Sequence, residues 1–446
     1  MADGAAPPPA PGFGEALRFW LQLGCISFGG PAGQIALMHG ELVQRRRWIS
    51  EARFLHALNY CMLLPGPEAQ QLATYIGWLL HGTRGGIAAG ALFVLPSLLL
   101  LMALSWVYMV FGQTPLAAGV LWGIKPAVTA IVLAAAWRIG KRSLRNGVLW
   151  AIALAAFIAI FALNAPFPLI VAGAALAGAV GARVAPQRFR PGAGHGSAAQ
   201  APAAPAVIDD TTPTPPHARF QRSRLAWQLG CGAALWLCAM GLVLGTGGWH
   251  GTLAQMGWFF TKAALLTFGG AYAVLPYVAQ AAVAQYGWLG ATQMLDGLAL
   301  GETTPGPLII VVAFVAFVGG WTQPMFGPGH VVAAAIAAAC VATFFTFLPS
   351  FVFVLAGGPL IEATHGDLAF TAPLAAVSAA VVGVIVNLAL FFAQHVLWPQ
   401  GFGATFEWAS ALIGVAAALA LMRFEVGVIK VIGACAVLGL AVQGLR

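Results

Sequence analysis

Charged residues are scarce in this chain, and their scarcity excludes most soluble folds. Only 8% of the residues are Asp, Glu, Lys or Arg, and 60% are hydrophobic, whereas soluble domains carry about 25% charged residues. A chain of this size needs a charged surface to stay dispersed in water. The sequence also lacks an HExxH zinc motif, a Walker phosphate loop and a nucleophile elbow. We therefore expect a membrane protein that is not an enzyme.

Metal-ligand and redox signatures are missing as well. The six cysteines are scattered through apolar segments without a CxxC pair, which favours small packing residues over metal or redox ligands. His39, His56 and His81 are too far apart in sequence to form a metal motif. We expect no cofactor and no metal. The net charge of +8 comes from basic residues in loops between apolar spans, so it indicates membrane topology rather than nucleic-acid binding.

The chain is rich in long apolar segments. Stretches of about 20 residues recur, among them Ile87–Phe111, Val331–Ala356 and Leu368–Ala393. Each is about long enough to cross the hydrocarbon core of a bilayer as a helix. The short alternating segments typical of a β-barrel are not seen. The sequence predicts an all-α polytopic membrane protein.

Two halves of the chain resemble each other, which indicates an internal duplication. Three motifs recur after 240 positions, and a fourth recurs after 253, so that the second half contains an insertion of 13 residues. The matched pairs, in the same order in both halves, are Ser27-Phe28-Gly29-Gly30 with Thr267-Phe268-Gly269-Gly270, Trp48-Ile49 with Trp288-Leu289, Pro65-Gly66-Pro67 with Pro305-Gly306-Pro307, and Leu95-Pro96-Ser97 with Leu348-Pro349-Ser350.

The composition divides the chain into five parts. We predict a disordered tail at 1–13, a first transporter repeat at 14–185, a flexible cytoplasmic linker at 186–224, a connecting transmembrane helix at 225–246 and a second repeat at 247–446. The linker is rich in Pro, Ala, Gly and Ser, a composition that does not form a packed core. If each repeat crosses the membrane an even number of times, the single connecting helix inserts the second repeat upside down, as in many secondary transporters.

The distribution of basic residues supports the inversion. Arg45–Arg47 precede Trp48, whereas 284–287 before Trp288 contain no basic residue. Because cytoplasmic loops favour Lys and Arg, we expect a cytoplasmic N-terminus and linker and a periplasmic C-terminus in the bacterial inner membrane. Arg18, Arg45–Arg47 and Arg84 can all be cytoplasmic only if the chain turns back at the glycine and proline motifs between them. This gives about nine spans and four re-entrant hairpins; a count of about 13 spans stays open.

The broken motifs also predict a binding site. Irregular backbone at membrane depth is tolerated only inside the protein or along a cavity. Pro31 and Pro67 suit the first turn of a new helix, whose free N–H groups and positive end attract anions. The alternative is that these motifs only kink the helices or allow close helix packing. The same motifs in both halves favour a site.

Polar and charged side chains near the breaks complete the candidate set. Lys125 and Lys262 lie within apolar segments, where a charge is costly, so either could attract a dianion; Lys125 could instead reach an interface. Glu68 and Glu302 suggest proton coupling, with stabilisation of a helix start as the alternative for Glu68. The predicted substrate-binding residues are Ser27, Phe28, Gly29, Gly30, Pro31, Gln34, Pro65, Gly66, Pro67, Gln71, Lys125, Lys262, Thr267, Phe268, Gly269, Gly270, Thr303, Thr304, Pro305, Gly306 and Pro307.

These motifs together resemble the two-domain form of the chromate transporter family. The resemblance rests on Phe28-Gly29-Gly30-Pro31, Arg47-Trp48-Ile49, Leu64-Pro65-Gly66-Pro67 and Gly123–Val128 in the first half, and on Thr267-Phe268-Gly269-Gly270, Thr304-Pro305-Gly306-Pro307 and Val382–Ala389 in the second. It covers nearly the whole chain outside the tail and the linker.

The resemblance implies chromate efflux from a bacterial cytoplasm and chromate resistance, with halves of opposite orientation. Sulfate or a broader range of oxyanions, carried in either direction, is the alternative, because sulfate and chromate are near-isosteric dianions. The sequence leaves the oligomeric state open, and a homodimer is one of the possibilities.

Overall fold

The computed structural model describes residues 8–185, 205–209, 212–213, 215–268, 270–323, 325–363, 371–403 and 405–444. These residues form helices and short connections, with one isolated β-bridge between Ile49 and Ile208. The first half and the connecting helix comprise α1 (Phe13–Ile26), α2 (Gly30–His39), α3 (Glu51–Cys61), α4 (Glu68–Phe111), α5 (Pro115–Ser143), α6 (Gly147–Phe161), α7 (Phe167–Val184) and α8 (Arg222–Gly247). The second half comprises α9 (Thr252–Leu265), α10 (Ala271–Ala279), α11 (Ala291–Thr303), α12 (Val311–Thr322), α13 (Val331–Ala363), α14 (Thr371–Leu397), α15 (Trp408–Met422) and α16 (Val428–Gly444).

Several helices have the length and composition of membrane spans. Among the described residues, six helices are long and apolar enough to cross a bilayer: α4, α5, α7, α8, α13 and α14. The helices α6, α15 and α16 are also apolar but shorter. Large hydrophobic side chains cover the outside of the bundle, for example Leu99, Trp150 and Leu242, which are 62%, 60% and 75% exposed. The prediction of an all-α polytopic membrane fold is confirmed.

The duplication is visible in local structure as well as in sequence. A π-helical turn at Gly40–Arg45 follows α2, and another follows α10 at Gln280–Gln285, 240 positions later. The rings of Phe19 and Trp48 pack with their centroids 5.0 Å apart, and the equivalent rings of Phe259 and Trp288 are 5.7 Å apart. Each half therefore repeats the same hairpin at its start.

The two halves run in opposite directions. After its first limb, 68–80, α4 turns back at His81 and Gly82, where the backbone is non-helical, and continues as a long second limb, 83–111. This second limb packs against its equivalent in the other half, α13. Gly86 lies against Leu355 and Gly90 against Phe351, so residue numbers rise along one helix as they fall along the other. Equivalent helices are therefore antiparallel, which confirms the inverted repeat.

The chain reverses at all four predicted breaks. At Pro65-Gly66-Pro67 the rings of Tyr60 and Tyr75 come within 5.7 Å, whereas an uninterrupted helix would separate these residues by about 22 Å. At the equivalent motif Gly297 lies against Phe314. Phe19 precedes the first glycine motif and Trp48 follows it, and their rings are in contact. Phe259 and Trp288 are in contact across the second glycine motif in the same way. The chain therefore turns back at both glycine motifs. These reversals favour hairpins over 13 uninterrupted spans.

Two backbone hydrogen bonds join the halves at the centre of the bundle. The N–H of Gly66 donates to the carbonyl oxygen of Thr267 over 2.7 Å, and the N–H of Gly306 donates to that of Ser27, also over 2.7 Å. Gly66 is equivalent to Gly306, and Ser27 to Thr267. The same contact is therefore made twice, as a two-fold relation between the halves requires. We call this pair of contacts the central crossing.

Close packing at the central crossing explains the two glycines. Both have left-handed backbone, with φ of +129° at Gly66 and +96° at Gly306. A Cβ on Gly66 would collide with the Ser350 hydroxyl, and one on Gly306 with the Ser97 hydroxyl. These serines end the repeated Leu-Pro-Ser motif, so each Pro-Gly-Pro motif packs on the Leu-Pro-Ser motif of the other half.

Where the structure describes the predicted linker, the linker packs on the first half. Ser50 N–H donates to the carbonyl of Ile208 over 2.9 Å, and the ring Nε2 of His217 lies 2.9 Å from the carbonyl oxygen of Trp78. Ile208 and Ala218 are buried. These two apolar residues hold the segment against the first half, although the overall composition of the linker does not predict packing. The rest of the predicted linker, 186–204, 210–211 and 214, lies outside the described residues, as do 1–7 of the predicted tail.

A buried ion pair ties the halves together at the end of α13. The guanidinium of Arg53 on α3 donates to the Glu362 carboxylate over 2.5 Å, and the Tyr75 hydroxyl donates to its other oxygen over 2.5 Å. The side chains of Arg53 and Glu362 are only 15% and 2% exposed. Arg53 also donates to the carbonyls of Asp209 and Thr212 in the linker. The pair thus connects both halves and the linker.

Loss of this ion pair should destabilise the fold. We expect Glu362→Gln to lower the free energy of unfolding by about 3 kcal/mol, because the mostly buried guanidinium of Arg53 then lacks its counter-charge. The measurement is thermal unfolding of the full chain in detergent. Arg45→Gln is the matched control: it breaks the pair between Glu41 and Arg45, whose side chain is 74% exposed, and should cost less than about 1 kcal/mol. Equal shifts for the two variants would contradict this expectation.

Substitution of a crossing glycine should also destabilise the fold. We expect Gly306→Ala to cost more than about 2 kcal/mol, because left-handed strain and overpacking against Ser97 add together. Ser97→Gly in the same chain should recover only the part due to the collision. Gly241→Ala on α8 is the control, since a Cβ there meets no atom within 4 Å and alanine favours a helix. Unfolding of Gly306→Ala at the wild-type temperature would show that the crossing is loose.

Candidate functional site

New helices begin at the central crossing. α2 starts at Gly30 with Pro31 in its first turn, as predicted, and α4 starts at Glu68 directly after Pro67. A short 3₁₀ turn, Leu308–Ile310, follows Pro307 and leads into α12. The positive ends of these helices therefore lie at the breaks, where they favour negative charge.

Glutamine side chains hold the crossing together. The Gln34 amide donates to the carbonyl of Gly306 over 2.5 Å and to that of Ser27 over 3.2 Å. The Gln71 amide donates to the carbonyl of Pro65 over 2.8 Å, and its nitrogen is 3.5 Å from the Ser350 hydroxyl. Gln34 thus bridges the two halves directly, and Gln71 fixes the Pro-Gly-Pro turn of its own half.

Several buried polar atoms at the crossing have no hydrogen-bond partner among the described residues. They are Ser27 Oγ, Gln34 Oε1, Gln70 Oε1 and Gln71 Oε1. All four residues are fully or almost fully buried. Because an unsatisfied buried polar group costs free energy, this cluster fits a place where polar partners bind between the halves. The Ser27 hydroxyl can donate to an oxyanion, whereas the three amide oxygens accept hydrogen bonds and need a donor such as water.

The hydroxyls of the three predicted threonines, unlike that of Ser27, have hydrogen-bond partners. Thr267 donates to the carbonyl of Ala263 over 2.6 Å, Thr303 to that of Leu300 over 2.9 Å, and Thr304 to that of Gly301 over 2.9 Å. Each satisfies a carbonyl near the end of its own helix. While these bonds persist, the hydroxyl protons do not reach a bound anion.

Two carboxylates flank the glycine break of the second half. Glu68 Oε1 lies 3.8 Å from the point where a Cβ on Gly270 would stand. Glu302 accepts a hydrogen bond of 2.5 Å from the Tyr272 hydroxyl and is 8% exposed. Glu68 also occupies the first turn of α4, where it stabilises the helix start. The structure thus brings the two predicted carboxylates to the same break.

Two arginines near the end of α5 act on these carboxylates. The charge of Arg142 reaches Glu68, and the charge of Arg138 reaches Glu302. The arginines are one helical turn apart and exposed. Their positive charge offsets part of the negative charge beside the break.

The two predicted lysines have contacts of their own, and the predicted residues beside the glycine breaks differ in exposure. Lys125 lies 3.6 Å from Asp296 in a separate cavity, and the Lys262 ammonium is 5.7 Å from the centroid of the exposed Trp258 ring. Phe28 and Gly29 are exposed, whereas Phe268 is half-buried. Gly269 lies outside the described residues.

Sequence reasoning missed several residues that the fold brings to the site. Ser97 and Ser350 sit on the Pro-Gly-Pro motifs, and their repeated Leu-Pro-Ser motif was a signal that could have marked them. Arg138 and Arg142 follow an apolar segment, where basic residues indicate membrane topology rather than a site. Tyr272 has no counterpart in the repeat, since Ala32 occupies the equivalent position. Only the folded arrangement identifies it.

Comparisons with known proteins agree with this architecture. The chain matches the chromate transporter family over residues 14–179 and again over 254–440, one match in each half. It is 33% identical over 430 residues to a chromate transport protein of Pseudomonas aeruginosa, covering 93% of this chain and 92% of the relative. It is 30% identical over 386 residues to a chromate transport protein of Cupriavidus metallidurans, covering 85% of this chain and 82% of the relative. A probable chromate transport protein of Synechococcus elongatus is 28% identical over 360 residues, covering 80% of this chain and 78% of the relative. No solved structure matches the chain. With both halves matched in order, the chain belongs to the chromate transporter family.

Proposed function

We propose that this protein is a secondary transporter that exports chromate across the bacterial inner membrane and thereby confers chromate resistance. The observation that carries the proposal is the central crossing, where broken helices from both halves meet beside unpartnered buried polar atoms. The names of the relatives supply the substrate: three of them are called chromate transport proteins or probable ones. In this proposal the two inverted halves rock about the crossing and expose it to each side in turn.

The dianion binds at the crossing between the two halves. Ser27 offers a hydroxyl without a partner, and the starts of α2 and α4 offer positive helix ends. Arg138 and Arg142 attract the dianion from the side on which α5 ends. Rearrangement of the Gln34 and Gln71 amides would let them donate to the oxyanion instead of to the backbone.

The membrane arrangement follows the basic residues. We propose nine spans and four half-membrane hairpins, with the N-terminus, the linker and the arginines of α5 in the cytoplasm and the C-terminus in the periplasm. With this orientation the arginines face the compartment from which chromate is removed. The structure favours hairpins because the chain reverses at all four breaks.

The membrane potential is sufficient to drive export. With a negative cytoplasm, each unit of negative charge gains roughly 2.3 kcal/mol per 100 mV on leaving, so a dianion gains about twice that. Proton antiport through Glu68 and Glu302 adds to this drive, because protons then move inward down their gradient as the dianion moves outward. Glu68 and Glu302 carry the protons in the part of the cycle in which no dianion is bound, since ionised carboxylates and a bound dianion repel each other.

Inside-out vesicles test the direction of transport. We expect vesicles that contain the full chain to accumulate chromate when their interior is made positive, because the dianion then moves down its electrical gradient. Vesicles without the protein are the control. Sulfate added outside tests the alternative substrate: strong competition would indicate a broader oxyanion carrier. Absence of chromate accumulation in energised vesicles would contradict the proposal.

Substitution of both carboxylates tests proton coupling. We expect Glu68→Gln with Glu302→Gln to keep uptake driven by the membrane potential but to lose the stimulation by an imposed pH gradient. The measurement is initial chromate uptake with each gradient applied alone. Glu425→Gln, at an exposed position, is the control and should keep both responses. A pH-gradient response that survives in the double variant would remove these residues from proton coupling.

A further inference from the structure

A cavity of about 880 Å³ lies among the ends of several helices, away from the arginines of α5. Gly112 and Gln113 line it where α4 ends, Pro115 where α5 begins, and Thr292 and Gln293 where α11 begins. Lys125 lines it ten residues into α5, which is about 15 Å from the helix start. We call this cavity the Lys125 vestibule; Tyr108, Lys125 and Asp296 also line it.

The vestibule lies on the opposite side of the bundle from Arg138. Lys125 and Arg138 are both on α5, thirteen residues or about 20 Å apart, and the vestibule extends from Lys125 toward the start of that helix. Asp296 lies on α11, nine residues before Pro305, which places it about 13 Å from the central crossing. The helix α11 therefore extends from the vestibule to the crossing.

A loosely held ion pair lies in the vestibule. Lys125 Nζ is 3.6 Å from Asp296 Oδ1, too long for a hydrogen bond. The Tyr108 hydroxyl donates to the other oxygen, Oδ2, over 3.0 Å. Asp296 is 3% exposed, and its Oδ1 accepts no hydrogen bond from the described residues.

This geometry differs from that of an ion pair with only a structural role. In a structural ion pair, short hydrogen bonds in a closed environment offset the free-energy cost of removing both charges from water. Arg53 and Glu362 form such a bond, over 2.5 Å. The Lys125 ammonium instead faces a cavity with its donors free for another acceptor, and Tyr108 keeps the carboxylate in place.

We propose that the Lys125 vestibule is a second binding site for a tetrahedral oxyanion dianion, separate from the central crossing, and that Asp296 controls release from it. The inference rests on the proposed function. A dianion that leaves the crossing takes the Lys125 ammonium from Asp296. Repulsion by the Asp296 carboxylate then weakens binding and returns the ammonium to Asp296 as the dianion departs.

Opposite effects on affinity and turnover test this site. We expect Asp296→Asn to bind chromate about tenfold more tightly, because a negative charge within a few ångströms of the dianion is gone, and to export it several-fold more slowly. Asparagine can still accept the Tyr108 hydrogen bond. Chromate binding is measured by equilibrium dialysis of the purified full chain, and turnover in inside-out vesicles. Lys125→Gln should weaken binding, and Lys141→Gln, an exposed lysine on the same helix, should change neither.

The double variant separates a binding role from a structural one. If Lys125 binds the dianion, Lys125→Gln with Asp296→Asn should bind chromate as weakly as Lys125→Gln alone. If the pair is only structural, the neutral double variant should regain wild-type stability and binding, and that result would overturn the inference. Unchanged chromate affinity in a folded Asp296→Asn would overturn it too. Failure of the proposed function gives a different result, namely wild-type vesicles that accumulate no chromate.

Discussion

The two hydrogen bonds of the central crossing, from Gly66 to Thr267 and from Gly306 to Ser27, constrain the rest of the structure. Each joins a Pro-Gly-Pro turn of one half to the end of a broken helix in the other. Neither half can satisfy these backbone groups alone, and an unsatisfied N–H or C=O at membrane depth is costly. The need to pair them holds the halves in one relative position and brings four helix breaks together at the centre.

The same constraint explains the residues around the breaks. Glycine is needed at Gly66 and Gly306 because the backbone is left-handed there and a serine of the opposite half occupies the space of a side chain. Ser97 also donates its hydroxyl proton to the carbonyl of Pro305. The repeated Leu-Pro-Ser and Pro-Gly-Pro motifs are thus two sides of one contact, made once in each direction. A duplicated sequence can make both copies only if the halves are related by a two-fold axis.

The polar chemistry of the protein is less symmetric than its backbone. Gln34 bridges the halves at the crossing, but its equivalent is Val274; Glu302 accepts a hydrogen bond from Tyr272, but their equivalents are Met62 and Ala32. At opposite ends of the bundle, Arg53 with Glu362 and Lys125 with Asp296 pair a cation of the first half with a carboxylate of the second, each beside a tyrosine. One pair is tight and the other faces a cavity. After duplication, the halves kept a common backbone and acquired different side chains.

The sequence alone determined the membrane fold, the duplication and the positions of the breaks, because hydrophobic length, repeated motifs and glycine or proline are local properties of the chain. The inversion also followed from charge asymmetry and the single connecting helix. The charge pattern also favoured reversal of the chain at the breaks, with a count of about 13 spans as the alternative. Only the tertiary structure decided that part of the linker packs on the first half, and that Lys125 lies beside Asp296 rather than at the crossing. Those outcomes depend on contacts between residues far apart in sequence, up to 309 positions for Arg53 and Glu362. No periodicity or local motif encodes which distant side chain fills a given space.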